Sequence, residues 1–341
     1  MVTQKMETPK VAVVILNYNG LHWLKKFLAT VVQYSSSSEI YVADNASTDD
    51  SLTYLNKHFP QLKIVKNNTN DGYAAGYNNA LQCICADYYI LLNTDVEVTE
   101  HWISPVIEVM EKNKSIAACQ PKIKHYDNKG SFEYAGASGG FVDKYGYPFC
   151  RGRIFLTVEK DQGQYDDPME VFWASGACLF LRSSAFYEVG GFDWDFFAHM
   201  EEIDLCWKLK NKGYKIMCIP QSTVFHVGGG TLANGSRFKT YLNYRNNLLM
   251  LYKNLPKKGR NLILFKRMLL DGISSFKFIF EGRPLHIFDI LKAHLYFHFK
   301  KVTFRKKRPS QYLVSLYPKS IVFAYFFRKK TRFSQLNNDL S

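Results

Sequence analysis

Val11–Gly20, which reads VAVVILNYNG, is the stretch that decides the fold. A short apolar run rich in β-branched residues is followed at once by a polar turn. A helical pattern of apolar residues then runs from Trp23 to Val31. A buried strand that ends in a polar turn and leads into a helix is the repeating unit of a parallel, doubly wound sheet. The stretch therefore predicts an α/β protein.

Strands of the same kind are predicted three more times in the first hundred residues. They lie at 40–43, 62–65 and 88–92, with helical patterns between them. Polar residues follow at 44–49 and 93–95, as the NYNG turn follows the first strand. In doubly wound sheets, ligands bind beyond the carboxyl ends of the strands. We expect these polar segments to meet in one site.

The middle of the chain is less regular. Residues 121–170 are rich in Gly, Tyr and charge, which predicts irregular strands and loops. Residues 171–181 predict one buried strand. A helix is expected from Met200 to Lys212, ended by Gly213, and strands are expected at 214–219 and 224–230. Helical patterns dominate beyond Lys239.

The net charge of +14 belongs to the last quarter of the chain. Residues 257–341 hold 19 Lys and Arg against 4 Asp and Glu, so residues 1–256 are close to neutral. Pro256 and Gly259 mark the predicted boundary between a first domain and a basic, aromatic-rich helical extension. Within 260–308, Leu and Phe alternate with Lys and Arg, which favours contact with an anionic membrane surface. The alternative is a helical subdomain packed on the first domain. We expect no nucleic acid partner, because no recognised binding motif accompanies the charge.

Composition excludes several other classes of protein. With 341 residues and 47% apolar types, the chain can bury a sizeable core, so it is not disordered or fibrous. No uncharged run reaches the roughly 18 residues of a membrane-spanning helix. The start does not resemble a signal peptide. Seven scattered cysteines without a Cys-x-x-Cys pair indicate reduced cytosolic thiols rather than disulfides or a zinc site.

Two groups of residues have the chemistry of a metal site. Asn93-Thr94-Asp95 directly follows a predicted strand, and oxygen donors spaced in this way can hold Mg²⁺ or Mn²⁺ together with substrate phosphates. The alternative is an Asx turn that only closes the strand. His226 ends another strand and precedes glycines that would let a phosphate approach the backbone. It is either a further ligand or a structural histidine.

The starts of two predicted helices are further candidate functional sites. Glu201, Glu202 and Asp204 begin a predicted helix, where the helix dipole favours the ionised form that a general base requires. They could equally do no more than complement that dipole. Residues 70–78, NDGYAAGYN, carry two glycines around another helix start, whose N–H groups could face a nucleotide. The absence of a Gly-x-Gly-x-x-Gly or Walker lysine motif argues against a dehydrogenase or a P-loop ATPase.

Seven segments, taken in order, resemble glycosyltransferase family 2, and more narrowly its rhamnosyltransferase-like bacterial branch. They are VVILNYNG, VADNASTDDS, NDGYAAGYNNA, LLNTDVEV, WASGACLFLR, GGFDWDFFAHMEEIDLCWKLKNKGYK and VFHVGGG. They extend from about Val11 to Gly230, and YLNYRNNLLMLYKNLP continues the resemblance weakly. The resemblance implies a GT-A fold, a Rossmann-like and mostly parallel sheet flanked by helices. It also implies transfer of a sugar from a nucleotide diphosphate to a hydroxyl, with inversion. Residues 1–256 would form the catalytic domain.

The resemblance also implies roles for individual residues. Glu202 matches the catalytic base, with Glu201 in reserve because the family's Glu-Asp pair here reads Glu-Glu. Asp95 matches the metal ligand of an Asp-x-Asp motif, and His226 the late histidine that completes the metal and diphosphate site. The nucleotide is assigned to Asn17, Tyr18, Asp44, Asn70, Gly72, Gly76, Asn78 and Asn93. The sugar and acceptor pocket is assigned to Trp173, Gly176, Asp193 and Asp195.

The combined evidence favours an inverting, Mg²⁺- or Mn²⁺-dependent glycosyltransferase at the cytoplasmic face of a bacterial inner membrane. Its donor would be dTDP-rhamnose or a UDP-hexose, and its acceptor a glycan or glycolipid of a lipid-linked surface polysaccharide. One alternative is a sugar-1-phosphate nucleotidyltransferase, although the Gly-rich, Lys-bearing first loop of such enzymes is replaced here by NYNG. Another is a catalytically silent scaffold that binds partners through the basic extension.

Overall fold

The computed structural model describes residues 8–228, 235–301, 303 and 316–339, and this part of the chain forms thirteen strands and ten α-helices. The strands are β1 (Val11–Asn17), β2 (Glu39–Asp44), β3 (Lys63–Lys66), β4 (Tyr88–Asn93), β5 (Val96–Val98), β6 (Ile116–His125), β7 (Gly140–Val142), β8 (Pro148–Cys150), β9 (Arg153–Ile154), β10 (Thr157–Val158), β11 (Met169–Val171), β12 (Cys178–Arg182) and β13 (Lys215–His226). The helices are α1 (Leu21–Tyr34), α2 (Ser51–His58), α3 (Gly72–Leu81), α4 (Ser104–Lys112), α5 (Ser183–Glu188), α6 (Glu201–Asn211), α7 (Arg237–Asn254), α8 (Lys257–Phe280), α9 (His286–Lys300) and α10 (Ile321–Phe326), followed by a 3₁₀ helix at Phe333–Asp339.

A mostly parallel sheet of nine strands forms the centre. Its order is β11-β13-β6-β12-β4-β1-β2-β3, and β5 pairs with β13. Strands β1 to β4 are mutually parallel, whereas β12 runs antiparallel between β4 and β6. Asn17 lies opposite Asp44, and Leu16 lies opposite Asn93. The predicted α/β class is confirmed, and the polar segments that follow β1, β2 and β4 share one edge of the sheet.

The central strands separate two hydrophobic layers, because alternate residues of a strand face opposite sides of a sheet. In β1, Val13 and Ile15 pack on one side together with Leu24 of α1. Ala12 and Val14 pack on the other side, in the cluster that also contains residues of α3, α6 and α7. Burial on both faces explains why the strand is almost entirely apolar.

Two predicted boundaries in the middle of the chain were wrong. The single strand expected at 171–181 is divided, because β11 pairs with β13 whereas β12 pairs with β4 and β6, and a turn at 172–177 joins them. The expected strands at 214–219 and 224–230 are one long strand, β13, with a register shift between Ile219 and Thr223. A small sheet, in the order β10-β9-β8-β7, fills part of the segment expected to be irregular.

The basic extension is helical and shares a core with the rest of the chain. Tyr317, Ile321 and Phe333 lie in the same buried cluster as Phe149. The backbone N–H of Tyr317 donates to the carbonyl of Val142 at 2.9 Å. Within the residues described above, no helix has the length and apolar composition needed to cross a membrane. The basic run at 305–308 and two of the glycines after His226 lie outside those residues.

Candidate active site

The ends of β1 and β2 are joined by side-chain hydrogen bonds. The amide nitrogen of Asn17 donates to Asp44 Oδ1 at 2.9 Å and to the Ser47 hydroxyl at 3.0 Å. The amide oxygen of Asn17 is buried without a hydrogen-bond partner, and Tyr18 beside it is 40% exposed. A buried acceptor without a donor is costly. This edge therefore offers an acceptor and an aromatic ring, which suits a nucleobase.

At the start of α3, the first two backbone N–H groups are bonded within the protein. The N–H of Gly72 donates to the side-chain oxygen of Asn70 at 3.2 Å, and the N–H of Tyr73 donates to the carbonyl of Phe197 at 2.7 Å. Gly72 has a φ of +88°, and a Cβ at this position would collide with that carbonyl. The glycine is needed because the backbone at Phe197 approaches the helix closely.

Gly76 and Asn78 also have structural contacts where nucleotide contacts were predicted. A Cβ on Gly76 would lie 2.7 Å from the amide nitrogen of Asn45, so the glycine allows close packing. The side chain of Asn78 donates to the Phe192 carbonyl at 2.9 Å and accepts from the Phe192 N–H at 3.0 Å. Both ends of the Asn78 amide are therefore used to attach α3 to the loop after α5.

Asp95 and His226 are brought together by the pairing of β5 with β13. His226 lies opposite Val96, and the Val227 N–H donates to the Asp95 carbonyl at 3.1 Å. As a result, His226 Nε2 is 3.2 Å from Asp95 Oδ1, and both side chains are buried. Asn93, which ends β4 just before Asp95, is half-buried, and its N–H donates to the Ala177 carbonyl at 3.0 Å.

Glu133 is a third charged residue at this point, and the sequence analysis missed it. Its Oε2 lies 3.5 Å from His226 Nδ1, and its side chain is buried. Burial lowers the pKa of His226, but the carboxylates of Glu133 and Asp95 outweigh burial and raise this pKa to about 10. Glu133 lies in a segment without periodicity, so no local pattern indicated it.

The Asp95–His226 pair fits a divalent cation only as a partial ligand set. Each ring nitrogen of His226 is buried and faces a carboxylate, Asp95 at Nε2 and Glu133 at Nδ1. Among the described residues, no group of three or more His, Cys, Asp or Glu side chains is arranged to hold a metal ion. Mg²⁺ usually takes one or two protein ligands and completes its shell with water and substrate phosphates. Asp95 and His226 match that pattern, and a cation that binds His226 would displace the proton that the two carboxylates hold on its ring.

Glu201 and Glu202, the first two residues of α6, form a buried pair of carboxyl groups. The Oε2 atom of each lacks a hydrogen-bond partner. Burial raises the pKa of Glu202 to about 7. Burial and the nearby Glu202 raise the pKa of Glu201 well above its usual value. For this pair, the loss of solvent on burial opposes the stabilisation of the ionised form that was expected from the helix start. A pKa near 7 still suits a general base.

The turn before α6 has an uncommon backbone. His199 and Met200 have φ values of +71° and +72°. Left-handed conformations at non-glycine residues cost about 1–3 kcal/mol each and persist where surrounding contacts hold them. Asn246 of α7 supplies such contacts, since its side-chain amide donates to the carbonyls of Ala198 and His199. The signal in the sequence was Arg245-Asn246-Asn247, a polar run inside an apolar helix.

Electrostatic contacts link the His226 side of the site to the carboxyl pair. Burial lowers the pKa of Lys239 on α7, and Glu133 partly offsets this effect. Burial and the charge of Lys239 in turn lower the pKa of His199 to about 4. Burial raises the pKa of the Cys150 thiol, and the charges of both Glu133 and Glu202 contribute to the rise. Hydrogen bonds also connect the two groups: the Asn93 N–H donates to the Ala177 carbonyl, and Tyr73 contacts both the Gly176 and the Phe197 carbonyl.

Gly176 lies beside this region. Its carbonyl accepts a hydrogen bond of 2.8 Å from the Tyr73 hydroxyl. Burial raises the pKa of Tyr73, and the charges of Glu201 and Glu202 raise it further. The predicted pocket residue Gly176 is thus close to the carboxyl pair.

The other predicted pocket residues have structural contacts instead. Trp173 is buried, and its indole N–H donates to the Phe141 carbonyl at 3.0 Å, so the ring fills the core. Asp193 and Asp195 pair with the ammonium group of Lys253 at 2.5 and 3.1 Å. Burial raises the pKa of Asp193, but Lys253 outweighs burial and lowers it. These carboxylates attach the loop before α6 to α7, and their role in a sugar and acceptor pocket stays a prediction.

Residues 12–190 match the sequence model of the family described as Glycosyl transferase family 2. The chain belongs to glycosyltransferase family 2. This family 2 chain is 27% identical over 238 residues to N-acetylglucosaminyl-diphospho-decaprenol L-rhamnosyltransferase of Mycobacterium tuberculosis, covering 64% of this chain and 76% of that protein. It is 24% identical to rhamnosyltransferase WbbL of Escherichia coli, covering 63% of this chain and 83% of that protein. The predicted family and its rhamnosyltransferase-like character are confirmed.

Solved structures confirm the predicted GT-A fold of this family 2 chain. GalNAc-T7, solved with UDP, GalNAc and Mn²⁺, superposes with a TM-score of 0.56 and 17% identity, covering 73% of this chain. The family 2 chain spans 48% of the length of that protein. The mannosyltransferase PcManGT of Pyrobaculum calidifontis, solved with GDP-Man and Mn²⁺, has a TM-score of 0.52 and 12% identity, covering 86% of this chain and 76% of that one. At these identities, the similarity establishes the fold alone.

Proposed function

We propose that this family 2 glycosyltransferase is an inverting, metal-dependent hexosyltransferase that acts on a lipid-linked glycan. The observation that carries the proposal is a chain of hydrogen bonds from the Asp95–His226 pair to the Glu201–Glu202 pair. It runs from the end of β4 through Ala177, Gly176 and Tyr73 to the loop before α6. One pair suits a nucleotide diphosphate and its cation, and the other suits proton removal from a hydroxyl. The two bacterial relatives are named rhamnosyltransferases, so dTDP-rhamnose is the first donor to test, before UDP-hexoses.

In the proposed reaction, Glu202 is the general base. It is less buried than Glu201, and its pKa of about 7 makes it a stronger base than an ordinary glutamate. As the acceptor oxygen forms its bond to the anomeric carbon, the hydroxyl proton passes to the Glu202 carboxylate. The bond from that carbon to the diphosphate breaks on the opposite side, and the electron pair leaves with the diphosphate. A single displacement of this kind inverts the anomeric centre.

The remaining residues bind and orient the donor. Asn17, Tyr18 and Asp44 lie at the strand ends where the base and ribose would bind. Asp95 and His226 would hold a divalent cation, which supplies charge neutralisation at the leaving diphosphate. Lys239 adds a positive charge near the same place. Burial and the nearby Glu202 raise the pKa of Glu201 well above its usual value, so Glu201 is readily kept neutral.

The proposed lipid-linked acceptor is supported by the apolar side chains that α8 and α9 expose, while α8 buries several charged ones. The buried side of α8 carries Arg260, Arg267 and Asp271. The outward sides of α8 and α9 form a surface that we call the outer apolar face. It consists of Leu262, Phe265, Leu269, Ile273, Phe276, Phe288, Leu291, Leu295 and Phe299, all of which are exposed. So large an exposed apolar surface marks an interaction site, and nearby lysines favour an anionic membrane. We therefore propose peripheral binding to the cytoplasmic face of a bacterial inner membrane.

The test is a transfer assay with the full chain, Mn²⁺ and a lipid-linked N-acetylglucosaminyl diphosphate acceptor. The donors are dTDP-rhamnose, UDP-hexoses and GDP-mannose. Release of the nucleoside diphosphate that depends on the acceptor, together with an inverted linkage seen by NMR, is the expected result. A product with retained configuration would remove Glu202 from the proposed role. Absence of both transfer and donor hydrolysis with every donor would favour the silent scaffold.

A further inference from the structure

A groove of about 710 Å³ lies outside the residues assigned to sugar transfer. We call it the α8–α10 groove, because its walls come mainly from those two helices. Its apolar lining includes Leu269 and Ile273 of α8 and Phe323 of α10. A volume of this size matches the cavities that hold small organic ligands, which measure roughly 300–1,000 Å³.

The lining of the groove is strongly cationic. It includes Lys144, Lys266, Lys319, Arg328 and Lys330, and none of the described residues that line it is acidic. The positive charge of Lys144, Lys266 and Arg328 around one cavity favours a bound anion. Apolar walls with a cationic rim fit an amphiphile that has a negative head and a hydrocarbon chain.

Buried contacts fix the walls of the groove in place. The carboxylate of Asp143 accepts hydrogen bonds from the backbone N–H groups of Tyr145 and Ile321, both at 2.9 Å. It thereby joins the loop at one wall to the start of α10. Beneath α8, Arg267 pairs with Asp271 at 2.7 Å and donates to the Tyr145 carbonyl at 3.2 Å. Asp143 and Asp271 are fully buried. The groove is therefore part of the folded core and not a gap between loose segments.

The position of the groove indicates where its ligand comes from. Leu269 and Ile273 belong both to the groove and to the outer apolar face. A chain that lies along these residues would extend directly into whatever covers that face. The membrane contact in the proposed function supplies such a layer, and the inference rests on that contact but not on sugar transfer.

We propose that the α8–α10 groove binds an anionic phospholipid of the membrane. The phosphate lies among the cations of the rim, and the first part of one acyl chain lies along Leu269, Ile273 and Phe323. A lipid bound in this groove would fix the depth of α8 in the leaflet. Partitioning of the outer apolar face alone would leave that depth variable.

The test measures binding of dihexanoyl phosphatidylglycerol to the full chain by calorimetry, below the concentration at which this lipid forms micelles. Dihexanoyl phosphatidylcholine and inorganic phosphate are the comparison ligands. We expect phosphatidylglycerol to bind at least tenfold more tightly than either, because only it has both an anionic head and a chain. Equal binding of inorganic phosphate would overturn the proposal in favour of a simple anion site.

Two double variants distinguish a specific lipid site in the groove from a general effect of surface charge on lipid binding. Lys266→Ala/Arg328→Ala removes two cations of the groove. Lys277→Ala/Lys292→Ala removes two exposed lysines from α8 and α9 that do not line it. We expect the first variant to lose at least tenfold in affinity for phosphatidylglycerol and the second less than twofold. Equal losses would contradict the proposal. Thermal unfolding of both variants checks that they fold.

A further ligand and an activity measurement test this inference independently of the proposed function. Farnesyl diphosphate represents the head of a lipid-linked acceptor, and tighter binding of this ligand than of phosphatidylglycerol would reassign the groove to the acceptor. Donor hydrolysis, measured without membrane, should be the same in the Lys266→Ala/Arg328→Ala variant and in the unaltered chain. If phosphatidylglycerol binds but no donor is turned over, the assignment of the groove is supported and the proposed transferase function is contradicted. If transfer occurs but the groove variant binds lipid normally, the groove assignment fails alone.

Discussion

The side-chain amide of Asn246 donates a hydrogen bond of 2.7 Å to the carbonyl oxygen of His199. His199 and Met200 form the left-handed turn that ends where Glu201 begins α6. Helix α7, from the C-terminal third of the chain, therefore holds the backbone turn that orients the carboxyl groups of Glu201 and Glu202. The proposed base depends on α7 although no residue of α7 is itself proposed as the base.

The first prediction concerns this positioning contact. Asn246→Ala should lower turnover by about 10- to 100-fold, because a misplaced catalytic group loses activity steeply. The pKa of the acid limb of the pH–rate profile should fall as Glu202 becomes more hydrated. Asn247→Ala is the matched control, since Asn247 is equally buried on α7 but donates to the Gly146 carbonyl. An unchanged pH profile in Asn246→Ala would reduce Asn246 to a purely structural residue.

The second prediction concerns the base itself. Glu202→Gln should lower kcat by about 10²- to 10⁴-fold, the usual contribution of general base catalysis. Binding of the nucleoside diphosphate, measured by calorimetry, should stay within twofold of the unaltered chain. Glu201→Gln should cost less, because Glu201 is the more buried of the pair. Turnover that survives Glu202→Gln would transfer the role to Glu201.

The third prediction concerns the pH dependence of stability. The pKa of Glu202 is raised from 4.5 to about 7 by burial, so the folded state favours the protonated carboxyl group. Below pH 4.5 both the folded and the unfolded state are protonated. Between that pH and about 7 the unfolded state ionises first, so folding is increasingly disfavoured as the pH rises. Above pH 7 the cost is constant, on the order of 3 kcal/mol.

Glu202→Gln removes this cost. The variant should therefore unfold at nearly the same temperature as the unaltered chain at pH 4.5, and at a higher temperature at pH 8. Differential scanning calorimetry at the two pH values checks this difference. Glu108→Gln, on the exposed side of α4, is the control and should show no such pH dependence. A constant difference across the pH range would show that Glu202 does not titrate as proposed.

The fourth prediction concerns the cation. Mn²⁺ together with the nucleoside diphosphate should raise the unfolding temperature of the chain, and EDTA should abolish this rise and donor hydrolysis together. Asp95→Asn and His226→Ala should each lose most of the Mn²⁺-dependent rise, because each removes one of two protein ligands. Glu97→Gln, whose carboxylate pairs with Lys129, is a nearby control. Full activity in EDTA would exclude a metal role for Asp95 and His226.

The fifth prediction concerns the outer apolar face. Phe288→Ser/Phe299→Ser should weaken sedimentation with phosphatidylglycerol vesicles at least tenfold, since full burial of each ring is worth about 1.5–3 kcal/mol. Both residues are more than half exposed, so the folded chain should lose little stability. Leu156→Ser, an exposed apolar residue near the small sheet, is the control and should leave sedimentation unchanged. Equal sedimentation of the two variants would contradict membrane contact through α9.

Several features of the site could be predicted because they follow from local pattern. The apolar runs of β1, β2 and β4 and the polar residues that end them required a parallel sheet with one functional edge. Asp95 and His226 could be proposed as partners only through the family resemblance, since 131 positions separate them in the chain. Glu133 and Asn246 escaped notice because their partners lie in distant segments. Trp173, Asn78 and Asp193 have partners inside the protein that a motif does not reveal, and their predicted binding roles stay predictions.

By itself, the amino-acid sequence determined the α/β class, the edge of the sheet at which the polar segments meet, and the basic, aromatic character of the last quarter of the chain. These properties depend on the order of apolar and polar residues and on counted charges, which no later packing can change. Only the tertiary structure decided the protonation of Glu201 and Glu202 and the outward direction of the Leu and Phe residues of α8. Both depend on which atoms exclude water from a side chain, and the excluding atoms come from segments far away along the chain.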